Sequence, residues 1–474
     1  MPAVTNNNGP GPWSADLLLN HAGIITMDAQ RRVLRDGSIA VAEGRIVAVG
    51  PSTEVDPMVR ATEIRDLKGA LVHPGFIDAH VHPTLQLVRG VLPDFYEEER
   101  MVREYGPPSA AEKTEEEEYS SVLLASMEMV HNGTTTFADT GSSKYLSGTV
   151  EAVESIGMRG LVGHMIKDSG DTPGWFKDPA TVRTTENNLE RLEDQITRFK
   201  KGRLSWSPAS LLGLGTASDT LLLNAKELSE SHDVPLIMHQ SWSKDEVDAC
   251  QIRTGLRPIE HLAELGILGP NTTLVHMIHV DDNEIDILAQ TDTNVVHCPA
   301  PGIKRGYGAA RIGRFVEMLN SGVSVALGCD AANWANSLDI GRAMYLACLI
   351  HREVRGQVPA ISEEMALEMA TIHGARAVGM AEEIGSLEVG KRADIVIHNT
   401  TAPETHPAHN LVTNLVYSSL TETVDTVLVN GNPVLDGGKL TNINSDEAYA
   451  RTDAAAESLC ARIGFPLPGT WPVI

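Results

Sequence analysis

The stretch that decides the fold is LVHPGFIDAHVH, residues 71–82, an apolar run that ends in His80 and His82. One residue separates the two histidines, so in an extended chain both side chains point to the same side of the strand. Two imidazoles on one side can bind one metal ion, although such a pair can also cap a loop. The other strands of the sequence decide between these interpretations.

Seven further apolar runs follow, separated by longer segments of helical periodicity. This alternation indicates a parallel sheet with connecting helices. Eight strands close a (β/α)₈ barrel, so the sequence predicts an α/β fold of the TIM-barrel type. Thr114 and Glu117 predict a capping box at the start of one connecting helix. The predicted strands are residues 71–82, 134–139, 160–166, 204–209, 234–240, 273–278, 294–299 and 323–330.

The two ends of the chain have a different pattern. Residues 16–67, 385–398 and 424–434 alternate apolar and polar residues around glycine and Asn-Gly turns, which is typical of antiparallel strands. Neither end has enough strands to bury a face alone, so we expect both to pair into one small β-sandwich. The predicted domains are residues 1–68 and 385–474 for the sandwich and residues 69–384 for the barrel.

Composition narrows the class of protein. The 474 residues contain 38 Lys and Arg against 63 Asp and Glu, a formal net charge of −25, which repels nucleic acid and anionic lipid. No apolar run is long enough to span a bilayer, and the N-terminal residues do not resemble a signal peptide. The five cysteines show no paired spacing, which favours a reduced compartment. We expect a cytoplasmic protein without nucleic-acid or membrane partners.

Most of the eight predicted strands have a histidine or an aspartate at or near their end. The ends of parallel strands share the C-terminal rim of a barrel, where barrel enzymes place their sites. At this rim His239, His276 and Asp330 would join His80 and His82. Imidazole nitrogens with one carboxylate are the ligands expected for Zn²⁺, and for Fe²⁺, Co²⁺ or Mn²⁺. The sequence therefore predicts a divalent metal site.

Six motifs extend over nearly the whole chain: PGFIDAHVH, GTTTFAD, IMHQ, LVHMIH, LGCDAANWAN and GSLEVGKRADIVI. In these motifs the sequence resembles the amidohydrolase superfamily. Within it, the chain is similar to the mononuclear branch that contains s-triazine hydrolases, adenosylhomocysteine-type deaminases, and phenylurea and thiocarbamate hydrolases. The resemblance implies one metal ion per chain, a small-molecule substrate and a homo-oligomer.

The resemblance also implies roles for the five residues. His80, His82, His239 and Asp330 would hold the metal, and His276 would either complete the shell or hydrogen-bond the bound water. The cation would lower the pKa of this water from about 15.7 toward 7. Asp330 would accept its proton and return it to the leaving group, while His276 would stabilise the developing negative charge. Asp330 and His276 are thus the predicted catalytic residues.

The chain departs from the family pattern at Trp242. Many deaminases of this branch have a glutamate at this position, three residues after the histidine of the fifth strand, and it protonates a ring nitrogen. An indole N–H has no accessible proton to give. We therefore expect hydrolysis of a C–N bond, or a thiocarbamate C–S bond, in a small apolar urea, carbamate, thiocarbamate or amide. The alternatives are a deaminase or dechlorinase of an N-heterocycle such as an s-triazine or a purine, and a catalytically silent metal-binding barrel.

Other rim residues have two interpretations each. Trp242 is predicted to line the substrate pocket, or else to pack on its own loop. His297, at the seventh strand, would contact the substrate or be a buried structural histidine. Trp334 and the pair Phe95–Tyr96 would form an aromatic lid or pack in the core.

Overall fold

The computed structural model describes residues 13–91, 111–170, 182–419 and 421–464. Its strands, numbered along the chain, are β1 (Trp13–Ile25), β2 (Val33–Ala42), β3 (Arg45–Pro51), β4 (Val59–Asp66), β5 (Leu71–Pro74), β6 (Phe76–Val81), β7 (Thr134–Asp139), β8 (Arg159–Leu161), β9 (Ser205–Trp206), β10 (Ala209–Gly213), β11 (Leu236–Gln240), β12 (Thr272–His276), β13 (Asn294–His297), β14 (Val325–Leu327), β15 (Ile395–His398), β16 (Val424–Val429), β17 (Asn432–Asp436) and β18 (Lys439–Leu440).

The helices lie mainly between the strands of the middle region. They are α1 (Ser52–Val55), α2 (Glu115–His131), α3 (Leu146–Ile156), α4 (Thr185–Arg198), α5 (Asp219–Ser231), α6 (Lys244–Thr254), α7 (Pro258–Glu264), α8 (Asp282–Thr291), α9 (Pro299–Lys304), α10 (Phe315–Asn320), α11 (Ala332–Ala335), α12 (Ile340–Arg355), α13 (Glu363–Ala370), α14 (Ile372–Ala377), α15 (Leu411–Asn414) and α16 (Ser445–Ile463). Short 3₁₀ turns include Pro83–Val88, directly after His82.

Both chain ends contribute to one nine-stranded sheet. Its order is β18-β17-β16-β15-β5-β1-β2-β3, and β4 pairs with β1. The antiparallel pair of β5 with β15, in which Val72 faces Ile397, joins the N-terminal strands to the C-terminal ones. Ile24 and Ile39 from the N-terminal strands and Ile395 from the C-terminal ones are fully buried in one apolar cluster. The two ends therefore pair as expected, but the hydrogen bonds form one continuous sheet, and a sandwich of two sheets stays a prediction.

The first predicted strand, residues 71–82, divides at Gly75. Its first part is β5, which pairs with the terminal sheet, and its second part is β6, which pairs with β7. A Cβ atom at Gly75 would lie 2.1 Å from Thr135 Oγ1, so no larger side chain fits where the chain passes between the two sheets. Residues 71–74 thus pair with the terminal sheet, and the domain boundary at residue 69 stays a prediction.

Each of the eight predicted strands of the middle region overlaps an observed strand. The parallel strands form a four-stranded sheet, β6 to β9, and a five-stranded sheet, β10 to β14. The fourth predicted strand divides into β9 and β10 around Pro208, which has no N–H to donate to a ladder. Isolated parallel bridges, Ile166 with Leu211 and Val81 with Asp330, link the sheets at their two junctions. The described residues thus have α/β barrel-type architecture without a closed ladder.

The capping box predicted before the first long helix is present at α2. The Thr114 hydroxyl accepts a hydrogen bond from the Glu117 N–H at 3.2 Å, and the Glu117 carboxylate accepts one from the Thr114 N–H at 2.9 Å. These bonds satisfy two of the N–H groups that a helix start leaves unpaired. Among the described residues, no helix combines the length and the apolar character needed to cross a membrane.

Candidate metal centre

The five predicted ligands lie at the same end of the parallel strands. His80 belongs to β6 and His82 follows it, His239 belongs to β11, His276 ends β12, and Asp330 follows β14. Asp330 Oδ1 lies 3.5 Å from His80 Nε2 and 3.6 Å from His82 Nε2. Ring nitrogens of His80, His239 and His276 also lie within 4.8 Å of one another. The structure therefore brings all five side chains to one point.

Left-handed backbone aims two of these side chains. In the strand register His276 pairs with Gln240, not with His239, so a regular strand would point His276 and His239 to opposite faces. The φ of His276 is 78°, which turns its ring back until it stacks 5.4 Å from that of His239. Asp330 has φ 63°. Such backbone costs energy in non-glycine residues and is concentrated at functional sites.

Three of the four histidines, His80, His82 and His239, each have a neighbour at the ring nitrogen Nδ1. The Leu212 carbonyl lies 2.9 Å from Nδ1 of His239. A carbonyl only accepts, so Nδ1 carries the proton and Nε2 has the lone pair. Thr140 Oγ1 lies 3.0 Å from Nδ1 of His80, and Asp139 Oδ1 lies 3.7 Å from Nδ1 of His82. These neighbours orient the rings with Nε2 toward the centre, as in metal sites.

One atom of the cluster shows why a cation fits. His80 Nε2 is buried and has no hydrogen-bond partner among the described residues. A buried polar atom without a partner costs free energy, and a metal ion at the centre would remove this cost. The imidazole nitrogens and the single carboxylate are ligands that Zn²⁺ accepts. The residues present therefore fit a divalent metal ion.

The protonation states also fit metal binding. Burial lowers the pKa of His80 and of His276 to about 3, and burial also lowers that of His239. Burial alone would raise the pKa of Asp330, but the adjacent imidazoles, above all that of His80, hold it below its usual range. His82 is the exception: burial acts to lower its pKa, but the nearby carboxylates Asp139 and Asp330 outweigh burial and raise it, so a metal ion would displace a proton from this ring. Neutral imidazoles and an ionised carboxylate are the forms that bind a cation.

His297 lies outside this cluster. His239 pairs with Val275, and Val275 pairs with Val296, so these three side chains share one face of the sheet. The residue after Val296, His297, therefore points to the opposite face. There its ring stacks 3.8 Å from that of Phe315, and its Nε2 lies 3.3 Å from His351 Nε2. The predicted substrate contact is therefore not supported. The placement favours the other interpretation, a buried structural histidine between the sheet and the helices.

The aromatic residues of the rim are only partly described. Trp242 is half-buried and packs edge-on against Tyr307, with ring centroids 5.5 Å apart. Trp334 packs against a small apolar cluster that includes Ala455 and Leu459 of the C-terminal helix α16. The pair Phe95–Tyr96 lies outside the described residues. A pocket wall formed by Trp242 stays a prediction, now with Tyr307 as its neighbour.

Sequence reasoning missed the residues that support the ligands. Glu246 is buried, and its carboxyl oxygens accept hydrogen bonds from the N–H groups of Ser241 and Trp242, each at 3.1 Å. Burial raises the pKa of Glu246 to about 8. Asp139 was visible as the last residue of the second strand, but an aspartate at a strand end does not reveal which histidine it will face. Both residues fix loops that carry the site.

Comparison with known proteins agrees with this geometry. The model of the amidohydrolase family matches residues 71–434. A 5-methylthioadenosine/S-adenosylhomocysteine deaminase of Syntrophobacter fumaroxidans is 33% identical over 95% of this chain and 99% of its own length. A 5'-deoxyadenosine deaminase of Methanosarcina acetivorans is 30% identical over 94% of this chain and 99% of its own.

Solved structures show the same architecture. An adenosine deaminase from Xanthomonas campestris with bound zinc superposes with a TM-score of 0.86 at 26% identity, covering 96% of this chain and 99% of that one. The atrazine chlorohydrolase of Arthrobacter aurescens TC1, complexed with zinc, gives 0.84 at 22% identity, covering 93% and 100%, and supports the fold alone. The chain belongs to the amidohydrolase family, as a metal-dependent hydrolase that acts on C–N bonds.

Proposed function

We propose that the protein removes the amino group, or a chlorine, from a small N-heterocycle, with one divalent metal ion, zinc, per chain. The observation that carries the proposal is the convergence of four histidines and Asp330 in a chain that its deaminase relatives match over almost its whole length. The relatives thus favour the heterocycle alternative over the urea and carbamate class that the sequence analysis preferred.

The residues of the site divide the chemistry between them. A bound divalent cation supplies the acidity, because it lowers the pKa of its water from about 15.7 toward 7. Asp330, held ionised, accepts the proton of the attacking water and returns it to the leaving amine. His276, held neutral and turned toward the cluster, donates a hydrogen bond to the atom that gains negative charge.

Trp242 narrows the substrate class. An indole cannot protonate a ring nitrogen. The proposed substrate ring must therefore carry the negative charge that develops when water adds to it, without being fully protonated. An electron-poor s-triazine meets this condition better than a purine. A chloride leaving group also suits a site without this acid, since chloride departs without a proton.

A second candidate function follows from the same tryptophan. An acyclic urea, carbamate or thiocarbamate needs no ring protonation, and its leaving group can take the proton held by Asp330. A pocket wall formed by Trp242 and its neighbour Tyr307 would offer an apolar surface that suits such substrates equally well.

The test is a substrate screen on the zinc-loaded protein. Aminated and chlorinated s-triazines and adenosine-type nucleosides are compared with substituted ureas, carbamates and thiocarbamates by kcat/KM. We expect turnover of the ring substrates, and we expect Asp330→Asn to lose at least about 1,000-fold while keeping its circular-dichroism spectrum, because the residue that moves the proton is gone. Preference for the acyclic carbonyl substrates would replace the proposal with the second candidate.

Trp242→Glu is the companion variant, because it restores the acid of the family pattern. The proposal expects ring turnover to stay unchanged or to fall. A large gain would show that ring protonation was limiting and would count against it. The predicted domain ranges, the homo-oligomer and the absence of nucleic-acid and membrane partners stay proposals beside this one.

A further inference from the structure

The C-terminal helix α16 begins after residue 434, where the family match ends. One side of it forms an apolar cluster with residues from two other segments of the chain. The α16 residue Leu459 is 1% exposed and central to it. The cluster contains Leu85, Leu87, Val88, Val91, Trp334, Ala455, Ala456, Leu459 and Ile463.

The two other segments each follow a metal ligand. The 3₁₀ turn Pro83–Val88 starts at the residue after His82, and α11, which carries Trp334, starts two residues after Asp330. Helix α16 packs on the 3₁₀ turn, and the turn packs on α11. The C-terminal helix therefore packs on the turn that continues from His82, and it shares one apolar cluster with that turn and with Trp334 of the helix that follows Asp330.

Ion pairs fix α16 along helix α2. Arg451 Nε and Nη2 lie 2.5 and 2.7 Å from the two carboxylate oxygens of Glu116, and the guanidinium lies 4.1 Å from the ring centroid of Tyr119. At the last residue but one of the helix, Arg462 Nη2 lies 2.5 Å from Glu117 Oε2. Partly exposed ion pairs contribute less than the burial of a leucine, so the apolar contact carries most of the attachment.

We propose that α16 is a positioning element for the metal ligands. Leu459 and its apolar neighbours hold the turn after His82 against the helix after Asp330, so both ligands stay aimed at one point. Ligand geometry in metal sites depends on supporting contacts, and loss of the hydrogen-bonding ones typically costs ten- to a hundredfold in metal affinity, so we expect the lower end of this range for an apolar contact.

The test uses the full chain and the zinc ion alone, so it does not depend on the substrate. We expect Leu459→Ala to speed amide hydrogen exchange in residues 83–91 and 331–336 together. We also expect it to raise the zinc dissociation constant about tenfold, measured by chelator competition. Leu192→Ala is the matched control, because Leu192 on α4 is fully buried but lies in a different part of the core. It should leave zinc affinity unchanged.

Two results would overturn the proposal. One is wild-type zinc affinity in Leu459→Ala, and the other is an equal loss in Leu192→Ala, which would show a general effect of destabilisation. Should Leu459→Ala not fold, Leu459→Val and the double variant Arg451→Gln/Arg462→Gln replace it, with a smaller loss of the same kind expected. Leu459→Met, which restores the volume, should return the zinc dissociation constant to the wild-type value. A failed substrate screen would leave all of these zinc measurements intact.

Discussion

Asp139 shows at the scale of one residue how a side chain that touches no metal can govern a metal site. Its Oδ1 lies 3.7 Å from His82 Nδ1, and it also accepts hydrogen bonds from the N–H groups of Gly141 and Ser142. In Asp139→Asn the negative charge facing the imidazole is lost. We expect zinc affinity, measured by chelator competition, to fall by about 10- to 100-fold.

Asp168→Asn separates this charge effect from loop disorder. Asp168 also anchors a turn, since it accepts hydrogen bonds from the Ser218 N–H at 2.7 Å and from its hydroxyl at 2.6 Å. It has no histidine ligand as a partner among its described contacts. Equal loss of zinc affinity in both variants would mean that Asp139 acts by holding its loop.

At the scale of elements, the turn from β11 into α6 depends on one buried carboxyl group. Glu246 accepts the N–H groups of Ser241 and Trp242, and Ser241 has a left-handed φ of 50°. In Glu246→Ala both N–H groups lose their acceptor. We expect the free energy of unfolding, measured by urea denaturation, to fall by about 1–3 kcal/mol or more. The exposed neighbour Asp245 supplies the control, and Asp245→Ala should change it by less than about 0.5 kcal/mol. Similar values for the two variants would refute the role of Glu246.

The same elements show what a sequence can predict. Strand periodicity located all eight runs, because burial on both sides of a parallel strand leaves a short apolar signature. It did not reveal that residues 71–82 serve two sheets, since the division depends on the close approach of Thr135 to Gly75. It also could not place His297, because side-chain direction follows from register, and register exists only between strands. The sequence could suggest that the five predicted ligands meet, because each lies at or beside the end of a parallel strand at one rim.

At the scale of the whole molecule, a buried pair of histidines joins the chain ends. His73 Nδ1–H donates to the Pro74 carbonyl at 2.7 Å, so its Nε2 accepts from His398 Nε2–H at 2.9 Å, and His398 Nδ1 accepts from the Thr423 hydroxyl. Both rings are neutral in this arrangement. Burial lowers the pKa of His73 to about 4 and also lowers that of His398.

The sign of the pH dependence follows from these pKa shifts. Between about pH 6.5 and pH 4 the unfolded chain binds protons at these histidines and the folded chain does not, so the free energy of unfolding falls as the pH falls. We expect His398→Gln, which cannot titrate, to show a shallower decline in urea denaturation over this range. The exposed His232 supplies the control variant His232→Gln, which should decline like the wild type. Identical slopes for all three proteins would refute this role of the pair.

The pairing of β5 with β15 also matters while the chain is being made. Roughly 320 residues separate the two strands, and at about 5–20 residues per second a ribosome needs tens of seconds to produce them. Until then the N-terminal strands present an open edge at β5, and open edges invite pairing with other chains. The nascent chain is therefore prone to aggregate while this edge is unpaired. We expect a chaperone or the growing middle region to shield the edge until β15 is synthesised and pairs with β5.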